Sequence, residues 1–273
     1  MSKLYIIGNG FDLKHGLPSR YSDFARFCEI TNWKLYEQIN LLFPNITKDS
    51  LWSNFEEGLG SVDTDKLYSL FYKAYKSDKR NDGFLKLHTE LKSCFRDWII
   101  SLKALTEKLQ RRFVFDDNDC FVTFNYTNTL EKSYNIKDDN ILHIHGFATP
   151  DEEEFYEDYI FGHKQPKQKP QGNINSYDYL SKDFSNGLRK DFKVTELSDI
   201  ITNWEQEGFT FEKIVVLGHS LNEIDDDYMH KILVLLPNTP WVVEYLNLGD
   251  FYRKNSNLQR LKLPITNVDF IRS

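Results

Sequence analysis

Lys3-Leu4-Tyr5-Ile6-Ile7-Gly8-Asn9-Gly10-Phe11-Asp12 stands at the head of the chain and decides how the rest is read. Leu4 to Ile7 show no polar alternation, so the strand they predict is buried on both faces, as in a parallel sheet covered by helices on each side. The strand stops at Gly8. Gly8-Asn9-Gly10 then allow a tight turn in which backbone approaches a ligand with no Cβ in the way. The N–H groups that follow would face an anion such as phosphate at a helix N-terminus. Gly8, Asn9, Gly10, Phe11 and Asp12 are therefore candidate binding residues. Position 13 is Leu, so the third glycine of G-x-G-x-x-G is missing, and the turn alone does not separate a ligand loop from a plain strand end.

Working outward, apolar runs of the same kind recur at Cys120 to Phe124, Ile141 to Ile144, Ile214 to Leu217, Trp241 to Leu246 and Ile265 to Ile271. The first four strands of the chain each run into a polar or Gly-containing turn, the place where ligands gather in an open α/β sheet. The expected fold is a doubly wound, mostly parallel, Rossmann-like α/β sheet. More than a hundred residues separate its first two strands, and they read as helical. Ser22 precedes Phe24, Phe27, Cys28 and Ile30; Ser50 precedes Leu51, Phe55 and Leu59. From Asp82, Phe84, Leu91, Trp98 and Leu105 repeat every seven residues, with Phe95, Leu102 and Leu109 beside them. That stripe predicts one long amphipathic helix, packed within a helical insertion or, alternatively, forming a dimer seam. Residues 20–115 are thus expected to form a helical subdomain inserted after the first strand, with 1–19 and 116–273 forming the α/β domain. A second irregular stretch, Thr149 to Ser176, is polar, Pro-containing and aperiodic, and reads as a surface loop or as a lid over a nearby site.

Composition sets the class. With 34 Lys and Arg against 41 Asp and Glu, the net charge of −7 disfavours a nucleic-acid partner. Cys28, Cys94 and Cys120 are far apart and lack C-x-x-C spacing, so they read as buried small hydrophobes in a reducing compartment. With no long apolar run and no signal-peptide pattern, the expectation is a cytoplasmic protein without a membrane partner.

Three further constellations carry chemistry. Thr123-Phe124-Asn125-Tyr126-Thr127 leaves the second strand, and an Asn there can hold a ribose hydroxyl or a water through both its donor and its acceptor. His143-Ile144-His145-Gly146 places two imidazoles on one face if the strand continues. Two histidines are an incomplete ligand set, so no metal is expected, and His145 before Gly146 suits acid–base work near neutral pH. Gly218-His219-Ser220-Leu221-Asn222 approaches the nucleophile elbow G-x-S-x-G but lacks the fifth-position glycine, and the only later histidine is His230, within the next predicted helix, so a serine hydrolase loses.

Taken together, these segments resemble the sirtuin-like NAD-binding superfamily, and most closely the AbiH-like family of bacterial phage-resistance proteins. Gly8, Gly10, Gly16 and Pro18 resemble the sirtuin G-A-G-I-S and G-I-P at the same separations. Thr123 to Glu131 is similar to T-N-Y-D-x-L-L-E of NAD-cleaving relatives. His145-Gly146 resembles the catalytic H-G, and Gly218 to Leu221 the G-T-S-L. The AbiH-like pattern adds G-N-G-F-D, a W-x-x-F-E element at Trp52 to Glu56, F-N-Y-T, H-x-H-G and G-H-S-L. The four-cysteine zinc ribbon of sirtuin deacylases is missing, which argues against protein deacylation. Asp12 stands where sirtuins have Ser, and Thr127 where the relatives have Asp. The resemblance implies an antiphage, abortive-infection effector that binds NAD or a related nucleotide and hydrolyses its N-glycosidic bond. Asn125 and His145 would be catalytic, and Gly8 to Asp12, Thr123, Gly218, His219 and Ser220 would hold the nucleotide. The alternative is a non-catalytic nucleotide sensor signalling through the helical insertion. Either reading leaves room for a phage-derived trigger and a homo-oligomer.

Overall fold

The computed structural model describes residues 2–43, 82–146, 193–263 and 265–273, with short pieces between 55 and 69 and residues 160, 162 and 186. The Ser50 cap, and the Thr149 to Ser176 loop apart from Ile160 and Gly162, lie outside the described residues. The strands are β1 (Ser2–Ile7), β2 (Cys120–Thr123), β3 (Ile141–His143), β4 (Phe211–Leu217), β5 (Trp241–Tyr245) and β6 (Val268–Arg272). The helices are α1 (Asn9–Lys14), α2 (Tyr21–Thr31), α3 (Trp33–Leu42), α4 (Phe55–Gly58), α5 (Asp82–Thr106), α6 (Thr129–Tyr134), α7 (Val194–Gln206), α8 (Asp226–Leu235) and α9 (Leu248–Arg260). The chain divides into two compact units, one of Met1–Pro18, Leu102–Tyr159 and Phe192–Ser273, the other of Ser19–Ser101 and Ile160–Asp191.

All six strands of the first unit pair in parallel, in the order β3-β2-β1-β4-β5-β6. The expected Rossmann-like sheet is therefore present. Successive residues of β1 serve opposite faces. Leu4 and Ile6 join Val122, Val216, Leu197 of α7 and Met229 of α8 in one core, while Tyr5 and Ile7 join Phe121, Leu217, Phe11 of α1 and Tyr134 of α6 in the other. That is why these strands read as continuous apolar runs. β6 begins three residues later than the run Ile265 to Ile271 implies, because Ile265–Asn267 closes a 3₁₀ turn first. The order reverses between β1 and β4, which makes the carboxyl ends of those two strands the topological switch point.

In the second unit, α2 starts at Tyr21, ahead of the expected Ser22 cap, because the Asp23 carboxylate accepts the backbone N–H of Arg20 at 2.9 Å. Asn32 caps α3, accepting from the N–H of Leu35 at 3.1 Å. Phe24 packs edge-on against Phe95 of α5, with ring centroids 5.2 Å apart, and tilts against Trp98 at 5.3 Å. Phe55 and Leu91 are buried in the same unit. Among the described residues no helix is long and apolar enough to cross a membrane.

Candidate functional site

Register builds the site. Ile7, Thr123, His143 and Leu217 stand side by side across four adjacent strands, so the segments that follow them leave the sheet at one end. The β1 and β4 segments interlock there. Gly8 N–H donates to Leu217 O at 3.0 Å, Gly10 N–H to Gly218 O at 2.9 Å, and Phe11 N–H to Gly8 O at 2.9 Å. A Cβ on Gly10 would lie 2.7 Å from the Gly218 Cα, and a Cβ on Gly218, whose φ is +65°, would lie 2.1 Å from the Phe11 nitrogen. These glycines are explained by backbone meeting backbone. The N–H groups of Gly8, Gly10 and Phe11 are thus spent inside the protein, and Gly218 N–H donates to Glu244 Oε2 at 3.3 Å. Asn9 and Ser220 are the exposed members of the two loops.

Behind this junction, Asp12 is 1% exposed and anchors the β2 segment to α1. Thr127 Oγ1 donates to it at 2.5 Å, Thr129 Oγ1 at 2.8 Å, and the Asn125 amide also donates. Burial pushes its carboxyl up to about 6, against the pull of those donors and the nearby His143. Asn125 itself is 6% exposed, and its Oδ1 is buried with no hydrogen-bond partner among the described residues. A buried acceptor left bare costs about 1–3 kcal/mol, which marks it as a place where a donor belongs. Thr123 Oγ1 accepts the Asn125 backbone N–H at 3.1 Å, so Thr123 braces this loop.

β3 ends at His143, and His145 sits in the turn closed by Gly146 N–H donating to His143 O. The two imidazoles therefore do not share a strand face. His143 faces Glu131 Oε1 at 2.7 Å and the Asn125 carbonyl at 3.3 Å. His145 lies 4% exposed, with Nε2 3.7 Å from Asp225 Oδ1. His219 Nδ1 accepts the Leu221 N–H at 3.0 Å, which puts the proton of its neutral ring on Nε2, 3.4 Å from Asp225 Oδ2. One buried carboxylate thus stands between two histidines, with the Phe124 ring 5.2 Å from His145 and 4.3 Å from His219. Leu221 adopts φ +55°, an uncommon conformation for a branched residue, held by Arg260 Nη2 donating to its carbonyl at 3.0 Å. Arg260 in turn forks onto both oxygens of Asp226.

Of the expected residues, Asn125, His145, His219 and the two glycine loops all gather at this end of the sheet. Phe11, by contrast, is a core residue, stacked on Phe113 at 5.3 Å and tilted against His15 and Tyr134. Asp12, Thr123 and His219 turn inward as braces. The sequence reading missed Asp225, because an acidic run after a strand looks like a solvated helix face. It also missed Glu244, buried on β5 and paired with Lys14; a lone Glu in Trp241-Val242-Val243-Glu244-Tyr245 was the available signal. His15 was missed as well. Its Nε2 meets the Tyr134 hydroxyl, which already accepts the Arg112 and Phe113 N–H groups and so donates to the ring, leaving Nδ1–H for the Phe11 carbonyl. Among the described residues, no group of three or more His, Cys, Asp or Glu side chains is arranged to hold a metal.

The family model described as bacteriophage abortive infection AbiH matches residues 4–245 of the chain. No curated protein matches it.

Proposed function

The chain belongs to the AbiH family of bacteriophage abortive infection proteins, a membership that gives it a role in antiphage defence, and from that premise we propose that its site binds NAD or a related nucleotide and hydrolyses the N-glycosidic bond. The observation that carries this reading is the buried Oδ1 of Asn125, bare among the described residues, beside the switch point. A ribose hydroxyl or an attacking water supplies the donor that oxygen lacks.

The bond joins ribose C1′ to a cationic nicotinamide nitrogen, so cleavage passes through an oxocarbenium-like state and the leaving group departs neutral, taking the bonding pair. Water adds to C1′ and surrenders a proton. His145 is the base that takes it, and Asp225, at 3.7 Å, stabilises the resulting imidazolium. Asp12 acts through Asn125: by taking its amide N–H, it orients the carbonyl oxygen. With Gly8, Gly10 and Gly218 committed to the loop junction, the exposed Asn9 and Ser220 of those loops are the phosphate contacts.

Calorimetric titration with NAD and with ADP-ribose, paired with an assay for released nicotinamide, tests the reading. Binding of either nucleotide with turnover supports it. Binding without turnover, with or without a phage lysate, would leave a nucleotide sensor. No heat with either ligand would remove the nucleotide site.

A further inference from the structure

We propose that Cys28 and Cys94 form a redox-active dithiol that a hydroperoxide closes to an intramolecular disulfide, a modification site separate from the sheet-end site. The two residues lie 66 positions apart in sequence, on α2 and α5, yet their Sγ atoms are 3.1 Å apart within one unit. That is inside the ordinary contact distance of two sulfurs and about 1 Å from the ~2.05 Å of an S–S bond. Both thiols are free. Among the described residues neither belongs to a group that could hold a metal, and two small apolar side chains would fill the same space without the pairing.

The environment divides the labour. Either sulfur can donate in this S–H···S contact, which is the main cause that draws one thiol of the pair down and pushes the other up, while burial pushes both up. Cys94, 7% exposed against 0% for Cys28, is the thiol that a peroxide reaches first and so the attacking one. Thr31, at the end of α2, is exposed, and Cys94 is the less buried of the pair, so access runs past Thr31. Cys94 attacks the peroxide oxygen, breaking the O–O bond to give a sulfenic acid and water (or an alcohol). Cys28 then attacks that sulfur, the S–S bond forms, and its proton leaves with the hydroxyl as a second water. Two thiols are oxidised and one peroxide is reduced. Cys120 is excluded: it lies on β2, fully buried, with its thiol pushed by burial up to about 12.

The test is hydrogen peroxide treatment of the full-length protein, followed by denaturing alkylation and peptide mapping. Of three cysteines, two are expected to escape alkylation and to appear as one Cys28–Cys94 disulfide peptide, released by dithiothreitol, with Cys120 alkylated throughout. Cys120→Ala is expected to behave identically. Cys28→Ala is expected to trap Cys94 as a dimedone-reactive sulfenic acid at several-fold higher yield than wild type. Three alkylated cysteines in peroxide-treated wild type, or a disulfide that involves Cys120 or joins two chains, would overturn the proposal. Since the wild-type map alone decides that point, a variant that fails to fold does not remove the test.

Discussion

The two halves of the sheet end differ in what they leave unsatisfied. Where β1 meets β4, the backbone of the glycine loops is used within the protein, with Asn9 and Ser220 the exposed residues: the Gly8 and Gly10 N–H groups pair with carbonyls, Glu244 takes the Gly218 N–H and Lys14, and Arg260 holds Leu221 and Asp226. Where β2 and β3 end, Asn125 keeps a buried oxygen that is bare among the described residues, and His145 lies against a carboxylate it shares with His219. The first half is an assembly joint and the second has chemical capacity to spare. A glycine-rich turn after a strand therefore need not be the ligand loop, even at a switch point. Close approach of two backbones requires the same residues as close approach to a phosphate.

The largest effect expected from that contrast is at Gly218. Gly218→Ala forces a Cβ onto the Phe11 nitrogen and keeps a positive φ, so it should cost about 3 kcal/mol or more. Thermal melts should show a drop of many degrees, and Gly10→Val should resemble it. Either variant melting within a degree of wild type would mean that the joint is loose and its glycines are kept for a ligand.

Asp12 comes next, at about 1–3 kcal/mol. Its folded pKa of about 6 is raised above the ordinary 3.8, so its contribution to stability is full below about pH 3.8 and is lost as pH rises through about 6. Burial holds His15 below its usual 6.5, so its contribution runs the other way, full above 6.5 and lost on acidification. Urea melts of wild type and Asp12→Asn across pH 4–7 separate the two: the variant should lack the loss of stability between about pH 4 and 6 and keep the His15 trend. Parallel curves would place the titration elsewhere.

Asn125→Ala should change stability by no more than about 1 kcal/mol, because relief of a bare buried acceptor offsets the lost donation to Asp12. A loss of several kcal/mol would make Asn125 a structural residue and blur the contrast between the halves. Ser220→Ala should be smaller still in stability, within about 0.5 kcal/mol, since its side chain is exposed. In calorimetry it should weaken nucleotide binding about 3–10-fold, as the loss of one hydrogen bond would. Unchanged affinity would take Ser220 out of the phosphate contacts.

Strand positions were legible because parallel strands buried on both faces leave unbroken apolar runs. β2, β3 and β5 start where those runs start and end within one residue of them. Asn125 and His145 were legible as polar residues just past a strand end. The orientations of their neighbours were not. Whether Asp12 faces a ligand or Thr127 depends on two loops more than a hundred residues apart in sequence, and local pattern carries nothing about that meeting. The same holds for Asp225, whose burial between two imidazoles comes from packing beside Phe124, and for Cys28 against Cys94.

The most direct test of the β2–β3 end as the chemical half is intracellular NAD after phage infection, compared between wild type and the variants Asn125→Ala and His145→Ala at matched protein levels. NAD should fall in protected wild-type cells and hold steady in both variants, since loss of a general base costs about 10²–10⁴-fold in rate. NAD that stays level in protected wild-type cells, or falls equally in all three, would contradict the assignment.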